Sequence, residues 1–111
     1  MFDLLYHPDA VRELAELPAT LRGKMARLLA LLALLALLEQ RGNSLRFPQT
    51  RPVEDGLFEL RASGVDIARA FFVFQQGKRI FILRCFVKKT EKTPRNEILL
   101  ALQRLEELTD D

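Results

Sequence analysis

The sequence has few of the residues that build disulfides and metal centres. Among its 111 residues there is one cysteine, Cys85, and one histidine, His7. A single cysteine excludes an internal disulfide framework and a multi-cysteine zinc site, and a single histidine excludes a histidine-rich metal centre. Any hydrolytic chemistry must therefore use carboxylates, lysines, arginines or hydroxyl groups, and no metal or cofactor is expected.

The sequence also lacks an apolar stretch long enough to cross a bilayer. Its longest run is LLALLALLALL, eleven residues at 28–38, whereas a transmembrane helix needs about 20. The run lies well inside the chain and no small-residue cleavage site follows it, which argues against a signal peptide. We therefore expect a cytoplasmic protein with no membrane partner.

Charge is distributed unevenly along the chain, although the net charge is only +2. Residues 41–95 carry twelve Lys and Arg against five Asp and Glu, whereas residues 1–40 sum to −1 and residues 96–111 to −4. A basic middle between acidic ends suggests a face for a polyanion. The length, with 49% hydrophobic and 29% charged residues, is typical of one globular domain over residues 1–111.

The pattern of apolar residues and turn formers predicts a strand, two helices, three strands and a final helix. Short turns join the three later strands, which indicates an antiparallel meander. The order β-α-α-β-β-β-α predicts an α+β domain, an antiparallel sheet with helices on one face and the other face partly open. The expected elements are the strand 2–6, the helices 9–17 and about 20–41, a loop at 43–56, the strands 57–62, 67–75 and 79–88, and a helix opening at Thr93-Pro94.

The leucine-rich run belongs to the second predicted helix, which Gly42-Asn43 closes. Leu and Ala are strong helix formers. Because the LLA repeat has a period of three and a helix turns every 3.6 residues, leucines cover nearly every direction around the axis. Two interpretations remain open: the helix is buried on most sides by the sheet and its neighbouring helix, or one of its faces is left for a partner chain.

Arginines interrupt all three later strands. Arg61, Arg69 and Arg84 each lie within a predicted strand, where a charge is costly unless it faces water, a partner or an anion. A structural interpretation is also open, because basic residues at sheet edges prevent aggregation and Arg61 could pair with Glu59 or Glu97.

More basic residues gather where the last strand ends. Lys88 and Lys89 end that strand, and Lys92 and Arg95 lie just beyond it. The next helix opens at Thr93-Pro94, with Thr93 as N-cap and Pro94 at the first position. Because a helix N-terminus attracts phosphate, the strand ends, the basic loop and the helix start together predict an anion pocket.

Three stretches resemble the HigB-like branch of the RelE/ParE toxins of bacterial toxin–antitoxin systems. They are GLFELR at 56–61, Arg69 in an apolar strand, and FVKKTEKTPRNEILLALQRL at 86–105; the resemblance covers roughly residues 1–106. It implies a RelE/ParE-like fold and an mRNA interferase that cleaves mRNA on the ribosome without a metal, by attack of a ribose 2′-OH on the neighbouring phosphate. It also implies a helix-turn-helix antitoxin of the HigA type, for which the helical hairpin is the candidate contact.

The resemblance implies a role for each matched residue. The first two strand arginines would bind the scissile phosphate, and one of the paired lysines would stabilise the transition state or protonate the leaving oxygen. A carboxylate, Glu97 or else Glu59, would be the base or a structural partner, and Phe86 would stack on a base. The expected catalytic residues are Arg61, Arg69, Lys88, Lys89 and Glu97, and the expected RNA contacts are Arg84, Phe86, Lys92 and Arg95.

Two other functions remain open. ParE-like chains share the fold and block DNA gyrase without cleaving RNA, but they usually lack the lysine pair. A non-catalytic binding module or decayed toxin is the other alternative. It is suggested by the expanded leucine run and by the absence, near the last helix, of the His or Tyr that several relatives use for proton transfer.

Overall fold

The computed structural model describes residues 2–38, 49–63, 66–88 and 93–109. These residues form eight elements, and their order confirms the predicted α+β class. One short strand, β2, lies in the segment predicted as a loop, and the expected helix end at Gly42-Asn43 lies outside the described residues. The elements are β1 (Asp3–Tyr6), α1 (Pro8–Ala15), α2 (Ala19–Leu38), β2 (Thr50–Pro52), β3 (Phe58–Ser63), β4 (Ile67–Gln75), β5 (Arg79–Lys88) and α3 (Arg95–Thr109).

The five strands form one mixed sheet in the order β1-β5-β4-β3-β2. β3, β4 and β5 pair antiparallel, which confirms the predicted meander. β1, however, pairs with β5 in parallel, with Asp3 opposite Arg79, so the sheet is not purely antiparallel as expected. An apolar run predicts a strand but not its partner, and the chain between β1 and β5 is long enough for the crossover that parallel pairing requires.

Helices cover both faces of the sheet, not one face as expected. The reason lies in β4, where the adjacent residues Phe71 and Phe72 are both fully buried; a strand that is apolar on both sides needs cover on both. One face packs on α1 and α2 through a core that includes Ala10, Leu21, Met25, Leu60, Phe72 and Ile82. The opposite face packs on α3 through a core that includes Leu57, Phe71, Leu83, Ile98 and Ala101.

The leucine-rich part of α2 is core on one side and exposed on the other. Leu29 and Leu32 are fully buried and Ala33 is 1% exposed, whereas Leu31 and Leu34 are 41% and 47% exposed. The buried side of the helix therefore fits a core role, and the exposed side leaves a face open for a partner chain. Among the described helices, none combines the length and the apolar character needed to span a bilayer.

A β-bulge in β5 brings two neighbouring residues to the same face. The pairing of β4 with β5 shifts between Phe71 and Phe72, which leaves Leu83 as an extra residue on β5. Leu83 joins the core under α3, and the next residue, Arg84, forms an ion pair with Glu97 of α3. Regular alternation would have placed these neighbours on opposite faces.

Candidate anion-binding site

The register of the central strands brings three predicted site residues into one row on the face covered by α3. Arg61 lies opposite Arg69, and Arg69 lies opposite Phe86. Residues directly opposite in antiparallel strands have Cβ atoms about 4.5–5.5 Å apart, and like charges so placed repel. An anion close by relieves this repulsion, so we take this row as the centre of the candidate site.

Glu59 supplies an anion to the row from within the protein. Its side chain is fully buried, Arg69 is 1% exposed, and Arg69 Nη1 donates a hydrogen bond to Glu59 Oε1 at 2.5 Å. Thr93 Oγ1 donates to Glu59 Oε2 at 2.7 Å and accepts from Arg69 Nη1 at 3.2 Å. Arg69 therefore lies beneath the surface, bound to a carboxylate of the protein itself.

Arg51 of β2 also belongs to this cluster, and sequence reasoning missed it. Its Nε lies 3.4 Å from Glu59 Oε1, and its Nη2 donates to Thr93 Oγ1 at 3.1 Å. The side chain is 53% exposed, so it presents a cation at the surface above the buried pair. The segment that contains Arg51 has no alternating pattern, and no other signal in the sequence pointed to it.

Arg61 is the half-buried member of the cluster. Its Nε is buried, and within the described part of the chain that atom has no hydrogen-bond partner. A buried donor without a partner is costly, so such groups are usually satisfied by water, an ion or a ligand. Glu59 pairs with Arg51 and Arg69, and Arg61 lies opposite Arg69. Among the described residues of the cluster, one carboxylate thus accompanies three guanidinium groups, and this excess positive charge suits a phosphate.

Thr93 is not the N-cap of α3, contrary to the sequence analysis. The carbonyl of Pro94 accepts from the amides of Glu97 and Ile98, which makes Pro94 the residue that precedes the first helical turn. The Thr93 hydroxyl binds the Glu59 carboxylate instead. The hydroxyl oxygen accepts from Arg51 and Arg69, so charged donors take the place of a backbone amide, and these contacts hold the start of α3 over the strand cluster.

Glu97 and Arg84 bind each other rather than Arg61. Arg84 Nε and Nη2 donate to the two oxygens of Glu97 at 3.2 and 3.0 Å. The Arg84 guanidinium also lies 5.2 Å from the centre of the Phe86 ring, and Phe86 is only 7% exposed. The structure thus brings together two groups of predicted site residues, one around Arg61 and Arg69, the other around Arg84, Phe86 and Glu97.

The second group continues into a buried ion network along the edge of β5. β1 pairs with β5 only as far as Ile82, which leaves later backbone groups of that edge without a strand partner. Glu13 of α1 accepts from the Cys85 amide at 3.2 Å, and Arg104 of α3 donates to the Leu83 carbonyl at 2.9 Å. Arg104 also binds Glu13 through two hydrogen bonds of 2.7 and 2.8 Å. Charged side chains therefore bind the backbone groups of this edge that a neighbouring strand would otherwise pair with.

This network determines the protonation of two of its members. Burial alone would raise the pKa of Glu13, but hydrogen bonds from Arg104 and the Cys85 amide, with the charges of Arg84 and Arg104, hold it below its usual value. Burial raises the pKa of the Cys85 thiol to about 12, and the charge of Glu13 adds to the effect. The thiol is therefore protonated at neutral pH and is not a nucleophile.

His7 belongs to the same edge. Its Nδ1 accepts from the amide of Asp9 at the start of α1, and its Nε2 lies 2.7 Å from Glu107 Oε2 of α3. One ring nitrogen of His7 thus contacts α1, and the other contacts α3. No group of three or more histidine, cysteine or carboxylate side chains suited to a metal ion occurs in the described ranges.

The remaining predicted residues lie at the end of β5 and the start of α3. Lys88 is the last residue of β5 and pairs with Ile67, and Lys89 and Lys92 lie outside the described residues. Arg95 is exposed and forms an ion pair with Glu54, so its contacts differ from those of the cluster around Arg61.

A comparison with known protein families gives a match over most of the chain. The profile of the family described as "Phage derived protein Gp49-like (DUF891)" matches residues 12–106. The match includes α2, all three strands of the meander and most of α3, and so every residue that the sequence predicted as catalytic or RNA-binding. No curated protein matches the chain.

Proposed function

The chain belongs to the Gp49-like family, a RelE/HigB-like toxin family of toxin–antitoxin systems, and we propose that it is a ribosome-dependent mRNA interferase of the HigB-like branch. The family identifies a toxin but not its chemistry. The observation that carries the proposal is the opposed pair Arg61 and Arg69, with the buried Nε of Arg61, which has no hydrogen-bond partner among the described residues. An anion site on a toxin fold suits a nucleic-acid phosphate.

The proposed reaction is transesterification within the RNA chain. The ribose 2′-oxygen attacks the adjacent phosphorus, the bond from phosphorus to the 5′-oxygen breaks, and the products are a 2′,3′-cyclic phosphate and a 5′-hydroxyl end. One proton leaves the 2′-OH and one joins the 5′-oxygen, so the step balances without water. The protein must orient the attack, bind the extra charge on the non-bridging oxygens and transfer both protons.

The cluster divides these tasks according to burial. Arg61 binds the non-bridging oxygens, and the exposed Arg51 binds the phosphate from the other side. Arg69, held 2.5 Å from Glu59, is a positioning residue that adds positive potential from below. The lysine pair Lys88 and Lys89 retains the role that the resemblance implies, at the leaving oxygen.

The proton acceptor is one of two carboxylates. Glu59 is buried and bound by Arg69 and Thr93, and Glu97 is bound by Arg84. Both are ion-paired, which favours a mechanism in which electrostatic stabilisation and positioning by the ribosome contribute more than a strong base. Arg84, Phe86, Lys92 and Arg95 remain the proposed RNA contacts.

Arg61→Ala tests the proposal. We expect ribosome-dependent cleavage to fall by about 10²–10³-fold, the usual cost of removing one donor to a developing oxyanion. The measurement is primer extension on a defined mRNA translated with purified components. Arg61→Lys should recover only part of the activity, because an ammonium group cannot bind phosphate through two parallel hydrogen bonds.

Arg79→Ala is the matched control, since Arg79 is an exposed arginine at the opposite end of the meander. Its cleavage rate should equal that of the wild type. Intact mRNA and normal peptide yield with the wild-type protein would refute the interferase. Inhibition of DNA supercoiling by gyrase under the same conditions would then identify a ParE-like activity.

The toxin family implies an antitoxin, and we place its contact on the exposed side of α2. Leu31 and Leu34 are the exposed leucines there, and the proposed partner is a cytoplasmic helix-turn-helix protein of the HigA type. Leu31→Glu with Leu34→Glu should abolish co-purification with the antitoxin. Leu99→Glu, at a 51% exposed leucine of α3, should leave co-purification unchanged. If Leu99→Glu abolishes co-purification and the α2 variant does not, the antitoxin contacts α3 instead.

A further inference from the structure

Besides the arginine cluster, the structure has a basic pocket at the C-terminal end of β3, next to α2. Its volume is about 340 Å³, and its lining consists of Lys24, Arg27, Leu28, Gln49, Arg61 and Ser63. β2 pairs with β3 only up to Leu60, and the Gln49 carbonyl accepts the next amide, that of Arg61. Beyond this point no described residue pairs with β3 on this side, and the pocket lies between this end of β3 and α2.

Among the described residues, the lining of this pocket is positively charged and includes no acidic side chain. Lys24 Nζ donates to the Ser63 carbonyl at 2.5 Å, which orders the lysine but leaves its charge uncompensated. Arg27 is exposed, and no ion pair or hydrogen bond of its guanidinium occurs among the described residues. Three cations, with Arg61 the third, thus surround one cavity, and their mutual repulsion is relieved when an anion enters.

Arg61 belongs both to this pocket and to the cluster under α3. It lines the pocket and lies opposite Arg69 in the sheet. A ligand with several phosphates in a row can therefore contact both sites at once, passing around the edge of the sheet at Arg61. A nucleic-acid strand, which carries a phosphate at every nucleotide, is such a ligand.

We propose that the pocket formed by Lys24, Arg27 and Arg61 binds a backbone phosphate of the same single-stranded RNA whose scissile phosphate lies at Arg61. The proposal rests on the interferase function and adds a path for the substrate: the strand runs from the start of α3, past Arg61, onto the first half of α2. In that half-helix, residues 19–27, no residue is acidic; Lys24 and Arg27 line the pocket, whereas Arg22 donates to the Ala15 carbonyl of α1. The contact is with phosphate and is therefore independent of base sequence.

The test uses the whole protein and an RNA that it cannot cleave. A fluorescent 12-nucleotide 2′-O-methyl RNA lacks the attacking hydroxyl, and its binding is followed by anisotropy at several salt concentrations. The variant is Lys24→Gln with Arg27→Gln. We expect binding to weaken at least about tenfold at 50 mM salt, and the slope of log K against log salt to fall in magnitude by about 0.7, the value for one phosphate of a single strand that is no longer neutralised.

The control removes the same charge from the same helical hairpin, outside the pocket. Arg12→Gln with Arg22→Gln changes two exposed arginines of α1 and α2 and should lower the slope clearly less. Equal effects of the two double variants would overturn the proposal, because net charge alone would then explain the binding. Unchanged thermal unfolding of both variants shows that the comparison concerns folded protein.

Cleavage by the wild-type protein, measured in parallel, separates this proposal from the interferase function. If the wild-type protein cleaves mRNA but the Lys24 and Arg27 variant binds the oligonucleotide as well as the wild type does, the pocket proposal is refuted and the interferase function is not. Loss of binding specific to that variant, with no cleavage by the wild type, would support the pocket and refute the interferase.

Discussion

Glu59→Ala should lower the free energy of unfolding by about 3–5 kcal/mol, the usual cost of leaving one partner of a buried ion pair without the other. Arg69 is 1% exposed and its carboxylate partner fully buried, so water cannot replace the lost oxygens. The Thr93 hydroxyl would lose its acceptor as well, which frees the start of α3. Urea denaturation followed by circular dichroism measures the change.

Two further variants test whether the lost stability comes from the buried ion pair between Glu59 and Arg69. Glu54→Ala removes a carboxylate that pairs with the exposed Arg95 and should cost no more than about 1 kcal/mol, as surface ion pairs do. Combining Glu59→Ala with Arg69→Met should restore much of the lost stability, since the buried charge then disappears. A cost for Glu59→Ala as small as that for Glu54→Ala would contradict the buried pair.

The second large effect is expected at Glu13. Glu13→Gln should destabilise the protein by about 3–5 kcal/mol at neutral pH, because Arg104 is 6% exposed and would lose its buried counterion. Arg84 Nη1, 2.7 Å from Glu13 Oε2, would lose the same charge. The control is Glu16→Gln, at the C-cap of the same helix. Glu16 is exposed and pairs with Arg12 at 3.7 Å, so this change should alter stability by less than about 1 kcal/mol.

The effect of Glu13 should also depend on pH in a defined direction. Its pKa in the folded protein is held below the unfolded value of 4.5, so its ionised form stabilises the fold. That contribution is complete above pH 4.5 and is lost as the pH falls through the folded pKa. The difference in unfolding free energy between wild type and Glu13→Gln should therefore be constant near neutrality and shrink in acid; a constant difference down to pH 2 would contradict this.

Much of the fold follows from the sequence, because apolar periodicity and turn residues determine local elements. The meander, the helical hairpin and the last helix were all predicted. The parallel pairing of β1, the short strand β2 and the position of α3 on the second face were not, since each depends on contacts between distant segments. Both clusters of core residues share one sheet, which supports our proposal of a single domain over residues 1–111.

The candidate site was predictable as a set of residues but not as a set of contacts. The sequence showed that Arg61, Arg69 and Arg84 lie in strands and left their carboxylate partners open. The structure pairs Arg69 with Glu59 and Arg84 with Glu97. The second pairing depends on the bulge at Leu83, which alternation of apolar residues does not reveal.

The pairing of the first strand with the last determines when the sheet can be completed during synthesis. Among the described strands β1 pairs with β5 alone, with Asp3 opposite Arg79, so this pairing cannot form until nearly the whole chain has been synthesised. Contacts between such distant segments form late because the intervening loop must first close. α3, which covers the arginine cluster, is made later still. A toxin that attacks translating ribosomes would thus remain inactive towards the ribosome that is synthesising it.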